Sequence, residues 1–211
     1  LKTIQSGLQL AEESGIGLLN FDINMQGAYI NLFQGNLEKA DEFLAIAQEY
    51  LNHTAHMDSS HYHYILTWTA LCRGDLPRAR EHAQVALQRA EASGSPVSAA
   101  WCRQTLAHVQ LEHGEGEQAL ENNRYACEWA EGAGSANTAY HGLLFQAYCA
   151  LKKGDDESCA HWLRAALPLG KAQNYKTFPW IGWRRDVIIR LYIKALEQDI
   201  ETGYVQELIR E

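Results

Sequence analysis

The residues of this 211-residue chain best suited to chemistry are its nine histidines and five cysteines. Four of the histidines, His53, His56, His61 and His63, gather around one stretch, and closely spaced imidazoles are the raw material of a zinc or copper site. No HExxH, Cys-rich pair or His-plus-carboxylate spacing accompanies them, so they read as solvated side chains around a loop and no metal is expected. The cysteines, Cys72, Cys102, Cys127, Cys149 and Cys159, contain no CxxC and are odd in number. All fall among apolar neighbours in helical stretches, which favours buried thiols in a reducing cytoplasm over a disulfide framework. No GxSxG, P-loop or GxGxxG sits in a strand-turn-helix context. Acids such as Glu12-Glu13 and Asp155-Asp156-Glu157 fall at helix starts or on exposed faces. Neither catalysis nor a cofactor is expected.

The elements that carry these residues are organised by a recurring corner. Gly74-Asp75-Leu76-Pro77-Arg78-Ala79, with Ala86 seven residues on, has copies beginning at Gly35, Gly114 and Gly154, spaced by 39, 40 and 40 residues. A period of that size is the signature of stacked helical hairpins. The Gly ends one helix in a left-handed conformation. Asn36, Asp75 and Asp155 follow as N-caps for the next helix, and Pro77 is tolerated in the first turn. Small residues lie five and twelve places after each Gly (Ala40 and Ala47, Ala79 and Ala86, Ala119 and Ala126, Cys159 and Ala166), on one helix face. Before each Gly the register is also kept, with Leu32, Leu71, Leu111 and Leu151 three places back and Ala28, Thr67, Ala107 and Ala147 seven back.

In these positions the chain resembles the tetratricopeptide repeat family. It departs in its longer period, in Asn24, His63, Arg103 and Leu143 where an early aromatic is the rule, and in lacking the Pro that closes the second helix. Long repeats of this kind resemble those of bacterial transcriptional regulators of the MalT and LuxR type, where a helical-repeat domain links an ATPase module to a DNA-binding module. The segments Ala195–Glu201 and Tyr204–Arg210 resemble the end of the repeat region in those regulators. The resemblance implies an all-α, right-handed superhelical solenoid of antiparallel hairpins forming a single repeat domain. A truncated repeat is expected over 1–15, with hairpins at about 18–53, 59–93, 97–133 and 136–173. Terminal helices follow over 178–211, where the corner Gly gives way to Lys194-Ala195-Leu196-Glu197 and Leu191 holds the leucine position. The segment Asn52–Asp58 is expected to be a polar linker.

The resemblance further implies a concave groove built by the first helix of each hairpin. Carrying its register over places three rows there: Asp22, His61, Trp101 and His141; Met25, Tyr64, Gln104 and Leu144; Tyr29, Trp68, His108 and Tyr148. The candidate binding residues are therefore Tyr29, His61, Tyr64, Trp68, Trp101, Gln104, His108, His141 and Tyr148. Aromatic faces with dispersed polar donors suit a small organic ligand, a sugar or a peptide. The alternative is that these rows pack hairpin against hairpin as core. The basic residues with which the co-chaperone branch of the family clamps a terminal carboxylate are missing from these rows, so that mode is not expected.

Two functions from different classes follow. One is a sensor of a multidomain cytoplasmic regulator, binding an inducer in the groove and acting on neighbouring domains of the same chain. The other is a scaffold that docks a protein partner with no small ligand. The net charge of −8 opposes direct nucleic-acid contact, since Trp183-Arg184-Arg185 is the sole locally basic cluster. No apolar run is long enough to span a membrane. Because the chain opens on Leu1 and not Met, it is expected to be a piece of a longer protein. Apolar residues in its first helix, Ile4, Leu8 and Leu10, would favour self-association.

Overall fold

The structure, a computed structural model, describes residues 6–7, 19–176 and 185–210. Among the described residues every regular element is a helix. In chain order these are α1 (Asn20–Phe33), α2 (Leu37–Glu49), α3 (His56–Cys72), α4 (Leu76–Ala92), α5 (Pro96–Glu112), α6 (Gly116–Ala133), α7 (Ala136–Lys153), α8 (Asp156–Ala172), α9 (Arg185–Glu197) and α10 (Thr202–Arg210). Consecutive helices pack as neighbours, α1 on α2, α3 on α4 and α7 on α8 most extensively. The chain divides into two compact units, residues 1–98 and 99–211, the division falling just inside α5. The truncated first repeat, the start of the expected fifth first helix and the apolar residues Ile4, Leu8 and Leu10 lie outside the described residues.

The corners form as the residue types require. At Gly74, φ is +72°, its N–H bonds the Leu71 carbonyl at 3.0 Å, and the Asp75 N–H reaches back to the Ala70 carbonyl at 2.9 Å. This pair of bonds satisfies carbonyls that the helix end leaves free. The same pair recurs after Leu32, Leu111 and Leu151, so the repeated leucine both fills the core and supplies the carbonyl that the corner Gly caps. The small residues five and twelve beyond each Gly are buried to within 1% of complete. They let the second helix lie close against the first.

The expected N-caps divide into two kinds. Asp75 accepts the Arg78 N–H at 3.2 Å and Asp155 accepts the Ser158 N–H at 3.0 Å, whereas the Asn36 side chain makes no capping bond. Asp75→Ala should therefore cost about 1 kcal/mol in urea unfolding, and Asn36→Ala only a few tenths; equal losses would contradict the difference between the two corners.

Boundaries moved in two places. α2 stops at Glu49, and the linker expected over Asn52–Asp58 is shorter, because α3 begins at His56 after a turn in which Asn52 Oδ1 accepts both the N–H and the hydroxyl of Thr54. At the far end α9 runs through the position expected for a corner and turns at Asp199, where φ is +50°. There the Asp199 N–H bonds the Leu196 carbonyl and the Ile200 N–H bonds the Ala195 carbonyl, the bond pattern of the other corners with Asp in place of Gly. The repeat register in α9 is thus five residues later than expected. It puts Asp186, Ile189 and Ile193 in the three rows, although Leu191 is itself fully buried.

In the 1–98 unit, Phe21, Met25, Ala28 and Leu32 of α1 meet Ala40, Leu44 and Ala47 of α2 and Tyr62 and Ile65 of α3. In the 99–211 unit, Phe145, Leu144, Leu163, Leu167, Val187 and Leu191 are among the most deeply buried side chains. α6 and α7 approach so closely at Gly142 that a Cβ there would run into Cys127 Sγ. Asn123, fully buried, donates to the Gly142 carbonyl at 3.1 Å across the same contact.

Candidate functional site

The candidate rows separate by depth. In the 1–98 unit the row farthest from the corner holds Asp22, exposed on α1, and His61, half-buried on α3. Burial lowers the His61 pKa, opposed by the carboxylates of Asp22 and Asp58. Tyr64 and Trp68 meet edge to face, ring centroids 6.5 Å apart, and both pack on the α1–α3 core. Tyr29 is 40% exposed, its ring 6.2 Å from that of Phe33.

In the 99–211 unit the same rows run from α5 to α7. Trp101 is 45% exposed, yet its indole N–H donates to Thr138 Oγ1 at 3.1 Å. Thr138 is held in turn by the N-cap Ser135, whose hydroxyl is 3.1 Å from its own. Gln104, buried, donates to the Thr138 carbonyl at 2.9 Å, so Trp101 and Gln104 meet on one residue. His141 stands one turn beyond Thr138 on α7, and burial pushes its imidazole down to about 4. His108 is fully buried, edge to face with Phe145 at 4.7 Å and stacked on Tyr148 at 6.4 Å. The Tyr148 hydroxyl donates to Glu112 Oε1, which also lies 3.3 Å from Lys152 Nζ. Lys152 adds a bond to the Leu111 carbonyl.

Gln104, His108 and Tyr148 are buried in the packing between α5 and α7. The middle row is mostly core as well, through Met25 and Leu144. Its counterpart on α9, Ile189, is 49% exposed, as is Ile193 in the row nearest the corner. In the row farthest from the corner Asp22, Trp101 and Asp186 are exposed, Trp101 being the largest of them, whereas His61 and His141 are half-buried. Sequence reasoning missed Thr138, whose position carries no repeat signal beyond the Ser135-x-x-Thr138 capping spacing. It also missed His82 on α4, whose Nδ1 lies 3.1 Å from His63 Nδ1.

A shallow depression of about 570 Å³ opens on another side of the same unit, among α6, α7 and α8. Leu120, Leu143 and Trp162 line it, with Glu117, Glu121 and Arg124. None of the candidate residues contributes to it.

None of the five cysteines forms a disulfide; Cys102, Cys149 and Cys159 are buried, whereas Cys72 and Cys127 are half-buried. Burial raises the Cys149 thiol to about 12 and those of Cys72 and Cys159 to about 11, which keeps them protonated and poor nucleophiles. Among the described residues no group of three or more His, Cys, Asp or Glu side chains could hold a metal ion, and no helix is long and apolar enough to cross a membrane. No protein-family model matches the chain, and no curated protein is significantly similar to it.

Proposed function

We propose that the chain is a non-catalytic recognition domain that takes up a peptide or a small planar ligand on the outermost row of the first helices within its 99–211 unit. The observation that carries the reading is Trp101, a large aromatic held out of the core with its indole N–H fixed on Thr138. An exposed ring whose orientation is already set loses little entropy on binding, and indole is among the side chains that contribute most at binding hot spots. His141, kept neutral, offers one donor and one acceptor one turn beyond Thr138 on α7. The resemblance to long-repeat bacterial regulators supplies the setting: a sensor or docking module of a cytoplasmic transcription regulator, acting on neighbouring domains.

The test is a thermal-shift screen of the purified chain against sugars, amino acids, nucleotides and short peptides, followed by fluorescence titration of each hit. A ligand of this site should bind at least about tenfold more weakly to Trp101→Ala, the loss of a hot-spot contact worth over 1 kcal/mol, with helicity unchanged. Thr138→Val, which frees the indole but leaves it in place, should weaken binding less. Hits indifferent to Trp101→Ala would sink the reading. Hits confined to peptides would place the site with protein-docking scaffolds, and hits confined to metabolites with inducer sensors.

A further inference from the structure

We propose that His63 and His82 form a two-imidazole chelate for a divalent transition cation, Cu²⁺ ahead of Zn²⁺, across the α3–α4 hairpin. His63 is on α3 and His82 on α4, and their Nδ1 atoms face one another at 3.1 Å with ring centroids 5.2 Å apart. Without a metal, one Nδ1–H donates to the other Nδ1, so one ring is the Nδ1–H tautomer and its partner the Nε2–H tautomer. Transfer of the donor ring's proton from Nδ1 to Nε2 leaves two Nδ1 lone pairs beside one position. For metal–nitrogen bonds of about 2.0–2.1 Å, a 3.1 Å separation closes an N–M–N angle near 100°, which suits two adjacent ligands of a tetrahedral or tetragonal centre.

The surroundings favour the neutral rings that a metal requires. Both imidazoles are half-buried, and burial lowers the pKa of each, His63 to about 4. Arg89 and Arg78 oppose positive charge at the pair, whereas Glu81 and Asp75 favour it. His53, in the turn before α3, is near enough to act on His63 electrostatically. No third donor completes a protein site among the described residues, so water fills the remaining positions. Imidazole nitrogen with water selects copper, nickel and zinc over magnesium or calcium, and copper stands highest in the affinity order.

The experiment is Cu²⁺ and Zn²⁺ titration of the full chain by calorimetry, with electron paramagnetic resonance of the Cu²⁺ form. One equivalent of Cu²⁺ should bind with two nitrogen ligands, Zn²⁺ more weakly, and Mg²⁺ not detectably. His63→Gln and His82→Gln should each weaken Cu²⁺ binding at least about tenfold, since even loss of a residue behind a ligand costs that much. His161→Gln, on α8, should change nothing. Absence of Cu²⁺ binding, or binding that survives both substitutions, would overturn the proposal. Should either variant lose helicity, the wild-type resonance decides alone: a spectrum without two coordinated nitrogens refutes the chelate.

Discussion

Phe145→Ala should lower the unfolding free energy of the 99–211 unit by about 3–5 kcal/mol, the cost of deleting a buried aromatic whose cavity the surroundings refill only in part. Phe145 is 1% exposed, and the edge of its contact is His108, itself fully buried and 4.7 Å away at an interplanar angle of 81°. The substitution removes the apolar area and also an aromatic pair worth about 0.5–1.5 kcal/mol beyond it. The His108 ring would then border a void. Urea unfolding should show a lower midpoint with an unchanged slope. Ile193→Ala, at a position 49% exposed, should stay within about 0.5 kcal/mol of wild type. A loss below about 1.5 kcal/mol for Phe145→Ala would mean that α5 and α7 are not locked through this ring.

Acidification between pH 6.5 and about 4 should destabilise the same unit through His141. Burial holds the native imidazole at about 4, against an ordinary value of 6.5. Between those two values the unfolded chain binds more protons than the native one, so stability rises with pH across that window. The contribution is fully present above pH 6.5, is lost as pH falls towards 4, and changes no further once both states are protonated. One imidazole sets a ceiling of about 1.4 kcal/mol per pH unit. Urea midpoints at pH 7.5, 6, 5 and 4.5 should therefore fall steadily for the wild type, and less steeply for His141→Gln, which has no proton to gain. Parallel profiles for the two proteins would show that His141 is solvated in the native state.

The hairpins were legible in the sequence because their determinants are local. A corner needs a residue that tolerates positive φ, a leucine three places earlier and a small residue five places later, and all three can be counted along the chain. The shift at α9 escaped that count because Asp199 takes the left-handed turn without being Gly, at the energetic cost that a Cβ imposes there. The rows were legible as positions but not as depths. Whether a first-helix side chain faces solvent depends on the helix packed over it: Tyr148 is buried and Ile193 exposed, though each stands six places before its turn. Thr138 and His82 were invisible for a related reason, since each matters through a partner on a different helix, Trp101 in one case and His63 in the other.

The bonds that tie α5 to α7 span modest stretches of chain: 37 residues from Trp101 to Thr138, 36 from Glu112 to Tyr148 and 41 from Leu111 to Lys152. Closing a loop of this size costs little more than closing a single hairpin, because each doubling of length adds only about 0.6 kcal/mol. Low contact order of this kind goes with rapid folding.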